Sequence, residues 1–92
     1  MSHQWILYST QGCHLCEQAV SVIQQLQGSF AIEYQIVDIA DGEQAEQLIQ
    51  RFGERIPVLE NTQLQETLDW PFDIEKLTAW LSWFLAIRFK SY

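Results

Sequence analysis

Two cysteines separated by two residues are the part of this sequence that could do chemistry. Cys13 and Cys16 are the only cysteines among the 92 residues, and His14 and Leu15 lie between them. A thiolate attacks a disulfide, and a second thiol three residues later can then attack the mixed disulfide and release the product. The pair therefore predicts thiol–disulfide exchange, with Cys13 as the nucleophile and Cys16 as the resolving thiol.

Other uses of the two cysteines stay open from the residues alone. His3 and His14 bring the number of zinc-type ligands to four, although His14 lies between the cysteines and His3 begins the first predicted strand. Thiolates from two copies of the chain could also hold one metal ion or cluster. A protonated His14 would stabilise a neighbouring thiolate, whereas a neutral, solvated His14 would not. Two inert buried thiols are disfavoured, because a loop-to-helix corner is a poor place to bury them.

The residues around the cysteines predict a strand before them and a helix after them. Trp5–Ser9 is a short apolar strand that leads into a turn, and Cys13–Gln27 has helical spacing of apolar residues up to Gly28. Phe30–Asp38 is rich in β-branched and aromatic residues, which predicts a second strand parallel to the first. Cys13 then lies at a helix N-terminus, where free backbone amides and the helix dipole favour its thiolate.

The middle of the chain predicts a second helix and a hairpin. Asp41 and Gln44 have the spacing of a capping box, and the helix that they begin ends at Gly53. Pro57–Glu60 is a short strand, and Gln63–Leu68 returns beside it after a tight turn. The order of elements is therefore βαβ, then α, then ββα.

The last predicted helix is unusually apolar. Asp73 caps it, and Phe72 is placed to pack against Leu77. The apolar run is too short to span a membrane, so we expect the helix to pack on the sheet. A surface for a partner protein at Trp83 and Ile87 is the alternative interpretation.

Length and charge exclude several classes of protein. Twelve acidic and five basic residues give a net charge of -7, which disfavours nucleic acids and anionic membranes as partners. The first eight residues contain neither Lys nor Arg, so we expect no signal peptide and a cytoplasmic location. The 92 residues fit one domain, 1–92, which we expect to be a monomer without a cofactor.

Three segments resemble the glutaredoxins and a related bacterial glutaredoxin-like family. Residues 7–19 resemble the active-site segment, residues 55–59 resemble the proline segment, and residues 70–73 resemble the entry to the last helix. The resemblance implies an α/β, thioredoxin-like fold with a four-stranded mixed sheet and three flanking helices. It also implies a cis Pro57 that faces the dithiol and turns the backbone N–H and C=O of Ile56 towards an extended disulfide substrate. We therefore expect Ile56 and Pro57 to form the substrate platform, and His14 to contact the substrate as well.

Departures from the glutaredoxin pattern argue against glutathione as a direct partner. Thr10 stands where a cation usually precedes the first cysteine, and Trp70-Pro71 stands where a Gly pair is usual. Arg51 or Arg55 could supply a substitute cation. The sequence thus favours an oxidoreductase that acts on protein or small-molecule disulfides. The alternatives are a non-enzymatic interaction module of the same fold and a carrier of a metal ion or cluster.

Overall fold

The computed structural model describes the backbone of residues 4–30 and 32–90, with side chains as far as residue 84. Within these residues, four strands and three helices follow one another in the predicted order. They are β1 (Trp5–Ser9), α1 (His14–Leu26), β2 (Tyr34–Asp38), α2 (Ala45–Phe52), β3 (Val58–Asn61), β4 (Glu66–Asp69) and α3 (Ile74–Lys90).

The strands form one mixed sheet in the order β2-β1-β3-β4. β1 and β2 are parallel, and α1 supplies the long crossover that a parallel pair needs. β3 runs antiparallel to β1, and β4 runs antiparallel to β3. The carboxyl ends of β1 and β2 therefore lie at the same edge of the sheet as the start of β3, and this is the edge from which α1 begins.

Alternation along β1 separates the two faces of the sheet. Trp5 and Leu7 belong to a core cluster with residues of α1 and α3, whereas Tyr8 belongs to a second cluster with Phe52, the last residue of α2. A strand points successive side chains to opposite faces, so α1 and α3 cover one face and α2 covers the other. The larger cluster includes Trp5, Leu7, Ala19, Ile23, Leu26, Ile32, Leu59, Phe72, Leu77, Leu81 and Phe84.

β2 begins later than the sequence predicts. Phe30 and Ile32 have strand-like side chains, but the amide of Phe30 donates to the carbonyl of Leu26 and prolongs the end of α1 as a turn. Ile32 is buried in the larger core cluster and Phe30 packs against it. The ladder starts only at the pair Trp5 and Tyr34, because β1 begins there. Helix α1 itself ends at Leu26, one residue before the predicted end.

The predicted capping box at the start of α2 is wrong. Asp41 does not cap the helix, whose N-cap residue is Gln44 and makes no side-chain cap hydrogen bond. The carboxylate of Asp38 instead accepts a hydrogen bond from the amide of Ala40 over 2.9 Å and stabilises the turn after β2. Gly42 follows with φ of 93°, a left-handed conformation that suits glycine. The helix ends at Gly53, as predicted.

The hairpin and the last helix differ in how well their limits are predicted. Asn61 ends β3 instead of starting the turn, and its side-chain oxygen accepts hydrogen bonds from the amides of Gln63 and Leu64. β4 therefore begins at Glu66, three residues later than predicted. Asp73 caps α3 as predicted, because its carboxylate accepts a hydrogen bond from the amide of Lys76 over 2.8 Å.

Helix α3 packs on the sheet through an aromatic cluster. Trp80 and Phe84 contact the ring of Trp5 edge-to-face, with centroids 5.6 and 5.2 Å away. Trp83 remains exposed, as the sequence allows, while the side chain of Ile87 lies outside the described residues. Among the described helices, none has both the length and the apolar character that crossing a membrane requires.

Candidate active site

A disulfide bond joins Cys13 and Cys16 at the point where β1 passes into α1. The turn between β1 and α1 contains Gly12 with φ of 76°, a conformation that glycine adopts without steric cost. This turn brings Cys13 to the N-cap position of α1 in an extended conformation. The two Cα atoms are 5.2 Å apart, because Cys16 lies one helical turn further along.

The two sulfurs lie in unequal surroundings. Cys16 is only 3% exposed and belongs to the buried core, whereas Cys13 is partly exposed at the helix end. The backbone amide of Cys16 donates a hydrogen bond to Sγ of Cys13 over 3.1 Å. Only Cys13 therefore combines access from solvent with an amide donor and the positive end of the helix dipole.

His14 and Leu15 between the cysteines both face solvent. His14 Nδ1 lies 3.6 Å from Oε2 of Glu17, and the two side chains are 90% and 79% exposed. Such an exposed pair contributes little to stability. Leu15 is 47% exposed and is therefore not a core residue.

The peptide bond between Ile56 and Pro57 is cis, as the resemblance implies. Tyr8 pairs with Val58 in the sheet, which puts the start of β3 beside the end of β1 and at the edge that carries the disulfide. The amide of Ile56 donates to the carbonyl of Phe52 over 3.1 Å. In this state that N–H is not available to a substrate, contrary to the sequence expectation.

A partly buried hydrogen-bonded network lies under this edge on the α2 face, with Tyr8 and Glu60 buried and Arg51 exposed. The hydroxyl of Tyr8 donates to Oε1 of Glu60 over 2.7 Å, and Arg51 contacts Oε2 over 3.3 Å. Tyr8 also stacks on the ring of Phe52, with centroids 4.2 Å apart. Burial, followed by the hydrogen bond to Glu60, raises the pKa of Tyr8 to about 12.

Arg55 forms the second ion pair at this end of the molecule. Its Nε and Nη2 atoms donate to the two carboxylate oxygens of Asp69 over 2.8 and 2.7 Å. The hydrogen bond from Arg55 lowers the pKa of the Asp69 carboxyl. Because Arg55 is engaged with Asp69 and Arg51 with Glu60, the structure does not offer either arginine as an unpaired substitute cation.

A family model for the Glutaredoxin-like domain (DUF836) matches residues 4–82. The chain belongs to this family. Protein XcR50 from X. campestris, known from an X-ray structure, is 38% identical with a TM-score of 0.72, over 85% of this chain and 95% of its own. Protein Ne2328 from Nitrosomonas europaea, known from a solution NMR structure, is 25% identical with a TM-score of 0.70, over 87% and 92%. No curated protein matches the chain.

Membership of the glutaredoxin-like family and the two similar structures establish the thioredoxin-like fold. Within the described residues, no group of three or more His, Cys, Asp and Glu side chains is arranged to hold a metal ion. His3, which the zinc hypothesis needs, lies outside those residues.

Sequence reasoning missed the network around Glu60. A weak signal was present, because Glu60 interrupts the apolar run of β3. Its partners Tyr8 and Arg51 are 52 and 9 residues away along the chain, so only the strand register reveals the contact. The second cis peptide bond, between Trp70 and Pro71, was also not predicted.

Proposed function

We propose that this protein is a thiol–disulfide oxidoreductase with Cys13 as the nucleophile and Cys16 as the resolving thiol. The observation that carries the proposal is the unequal pair: Cys16 is buried, while Cys13 is partly exposed and accepts the amide hydrogen bond of Cys16. Family membership supports the same chemistry, because glutaredoxin-like domains are named for their likeness to dithiol enzymes.

In the reducing direction, the thiolate of Cys13 attacks one sulfur of a substrate disulfide. The substrate S–S bond breaks as the new bond to Cys13 forms, and the leaving thiolate takes a proton from water. The amide of Cys16 and the start of α1 hold the negative charge of Cys13 before attack.

The second step releases the substrate. Cys16 loses its proton and attacks Sγ of Cys13, so that the mixed disulfide breaks and the Cys13–Cys16 bond forms. The second substrate sulfur leaves as a thiolate and is protonated. The substrate gains two electrons from the two cysteine sulfurs and two protons, one from water and one that Cys16 gave up. A small or protein dithiol then returns the enzyme to its reduced form.

The proposal includes the location, the oligomeric state and the substrates of the protein. A Cys pair that must be reduced again suits a reducing compartment, so we place the protein in the cytoplasm. We propose a monomer that acts on disulfides of proteins or small molecules. The carbonyl of Ile56 and the exposed His14 would contact the substrate beside Cys13.

Single-cysteine variants test the assignment. The reduced Cys16→Ser protein should form a stable mixed disulfide through Cys13 when it meets an excess of a protein disulfide such as insulin. The reduced Cys13→Ser protein should form much less, because Cys16 is buried. Mass spectrometry of the trapped species, with the double Ser variant as the control, measures both. Preferential trapping through Cys16 would reverse the roles, and failure of both variants to exchange would refute the activity.

A further inference from the structure

A groove runs along the outside of α1 near the disulfide and is not used by the chemistry above. It has a volume of about 560 Å³ and lies between α1 and the connector from β4 to α3. This is within the range of about 300–1,000 Å³ that is usual for ligand sites. Its lining consists of Gln18, Ser21, Val22, Trp70, Pro71, Phe72, Asp73 and Lys76.

The lining is mostly apolar and also holds one cation and one carboxylate. The rings of Trp70 and Phe72 meet edge-to-face with centroids 5.0 Å apart, and Val22 lies opposite on α1. Lys76 hydrogen-bonds the carbonyl of Pro71 over 3.3 Å. Of the described arginines and lysines, Lys76 is the one without a carboxylate at ion-pair distance. The carboxylate of Asp73 in the same lining accepts the backbone amide of Lys76 as the cap of α3, so the ammonium of Lys76 is the positive charge at the groove that an acidic group can meet.

The groove is connected to the disulfide in two ways. Leu15, Gln18 and Val22 have the i, i+3, i+7 spacing of one helix face, so a stripe of two exposed side chains and the half-buried Val22 leads from the dithiol to the groove. At about 1.5 Å per residue, Gln18 lies roughly 7–8 Å along the helix from Cys13. An extended peptide covers that distance with two or three residues at about 3.3 Å each.

The far wall of the groove is tied to the proline segment. The amide of Trp70 donates to the carbonyl of Pro57 over 3.1 Å. The connector that carries Trp70 and Phe72 is therefore hydrogen-bonded to the residues at the disulfide edge of the sheet. A substrate peptide joined to Cys13 would therefore reach this connector while it still lies along the disulfide edge of the sheet.

We infer that the groove binds a segment of the substrate protein, with a large apolar side chain two or three residues from the reacting cysteine and an acidic residue next to it. The apolar side chain lies between Val22 and Trp70, and the carboxylate pairs with Lys76. This inference rests on the proposed function and adds the substrate class: protein disulfides with an apolar–acidic flank.

Peptide disulfides of matched sequence test the inference. Each peptide carries one cysteine joined to 2-mercaptoethanol by a disulfide. Three versions carry Leu-Glu, Ser-Glu or Leu-Gln two or three residues from that cysteine. In one set the pair precedes the cysteine, and in the other set it follows the cysteine. The reduced protein should react roughly tenfold faster with the Leu-Glu peptide than with the Ser-Glu peptide in one of the sets. Equal rates for all versions in both sets would overturn the inference.

Two variants with matched controls test whether the preferences for Leu and for Glu arise in the groove. Ser21→Trp fills the groove and should remove the preference for Leu, whereas Gln24→Trp, at an exposed position of α1 outside the groove, should keep it. Lys76→Gln should remove the preference for Glu over Gln, whereas Glu75→Gln on the same exposed turn should keep it. Circular dichroism shows whether each variant is folded. Retention of both preferences in Ser21→Trp and Lys76→Gln would place the binding elsewhere.

Two further readouts separate this inference from the proposed function. Bis(2-hydroxyethyl) disulfide has no peptide segment beside its sulfurs, so the wild type and the two control variants, Gln24→Trp and Glu75→Gln, should reduce it at the same rate. If the wild type does not reduce it, the proposed function fails and the substrate class fails with it. Binding is also measurable without redox chemistry, because the Leu-Glu peptide with Ser in place of Cys should shift the NMR signals of the Val22 methyls and the Trp70 indole. No shift at these two residues would refute binding in the groove and would leave the proposed function standing.

Discussion

The backbone amide of Cys16 points at Sγ of Cys13 across 3.1 Å and closes the first turn of α1 onto its own cap residue. In the disulfide form this donor meets a sulfur of low charge. After reduction, the same donor faces a sulfur that can become an anion, and a hydrogen bond to a charged acceptor is about twice as strong as one to a neutral acceptor. The geometry therefore favours the thiolate at Cys13 over the thiolate at Cys16.

We expect Cys13 of the reduced protein to form its thiolate at a lower pH than an ordinary cysteine. Alkylation by iodoacetamide depends on the thiolate, so its rate at Cys13 should reach half of its maximum at a pH below about 8.5, the usual pKa of a free thiol. The Cys16→Ser variant isolates the reaction of Cys13, and peptide mapping confirms the modified residue. A midpoint at or above 8.5 would show that the helix end does not activate Cys13.

We expect the stability of the protein to fall between about pH 10 and pH 12 because of Tyr8. Its pKa is 10.0 in the unfolded chain and about 12 in the folded one, so the unfolded state loses the proton first and gains stability as the pH rises through this window. At about 1.4 kcal/mol per pKa unit, the loss is at most about 2–3 kcal/mol.

Denaturant unfolding across pH 7–11.5 measures this effect in the wild type and in Tyr8→Phe. The variant should lose much of the alkaline slope, and at pH 7 it should be less stable by about 1.5–3 kcal/mol, because the buried carboxylate of Glu60 loses a donor. Tyr34→Phe is the control, since burial also raises the pKa of Tyr34 but without a partner such as Glu60. An unchanged slope in Tyr8→Phe would refute the role of this hydroxyl.

The ion pair of Arg55 and Asp69 should act at the acidic end of the pH range. Because the folded protein lowers the pKa of Asp69, the pair stabilises the protein above the unfolded pKa of 3.8, and this contribution is lost as the pH falls through the folded pKa. The side chains are 38% and 44% exposed, so solvent weakens the pair, and Asp69→Asn should cost about 0.5–1 kcal/mol at pH 7.

Unfolding at pH 7 and pH 2.5 checks this prediction. Asp69→Asn should lose less stability than the wild type between the two values. Glu66→Gln, at the exposed start of the same strand, controls for the removal of one negative charge. If both variants respond to acid in the same way, the pair with Arg55 is not the cause.

Glutathione should be a poor direct partner. Arg51 and Arg55 are each paired with a carboxylate, and Pro71 has no amide to offer to the γ-glutamyl end. The loss of one charge-assisted contact costs about 1.5–3 kcal/mol, or roughly one to two decades of affinity. The assay follows the reduction of a glutathione mixed disulfide by glutathione, beside an ordinary glutaredoxin. Comparable rates would contradict the prediction, and Arg51→Ala and Arg55→Ala would then show which arginine binds the tripeptide.

Local patterns in the sequence determined the order of the elements and the position of the dithiol. The apolar run of Trp5–Ser9, the turn before Cys13 and the helical spacing after it are signals within one segment, and each is confirmed. Asp73 is correctly predicted as a cap for the same reason, since a cap needs only its own helix. The cis form of Pro57 came from family resemblance, which carries information that spacing does not contain.

The tertiary structure decided what depends on partners far along the chain. Phe30 and Ile32 favour a strand by themselves, but the ladder can begin only where β1 offers Trp5 to pair with Tyr34. The cap predicted at Asp41 failed for a local reason instead: Gln44 is the N-cap residue of α2, and the turn before it is held by the hydrogen bond from the Ala40 amide to Asp38.

The contacts around the site depend on the same long-range geometry. Tyr8 meets Glu60 because the register of β1 and β3 puts them on one face. Trp70 lines a groove with residues of α1 because the pairing of β4 with β3 brings the end of β4 to that edge. Short-range spacing fixes a helix or a turn through bonds to near neighbours. Register and helix packing follow from the burial of whole faces, so ion pairs and grooves between elements become visible only in the folded chain.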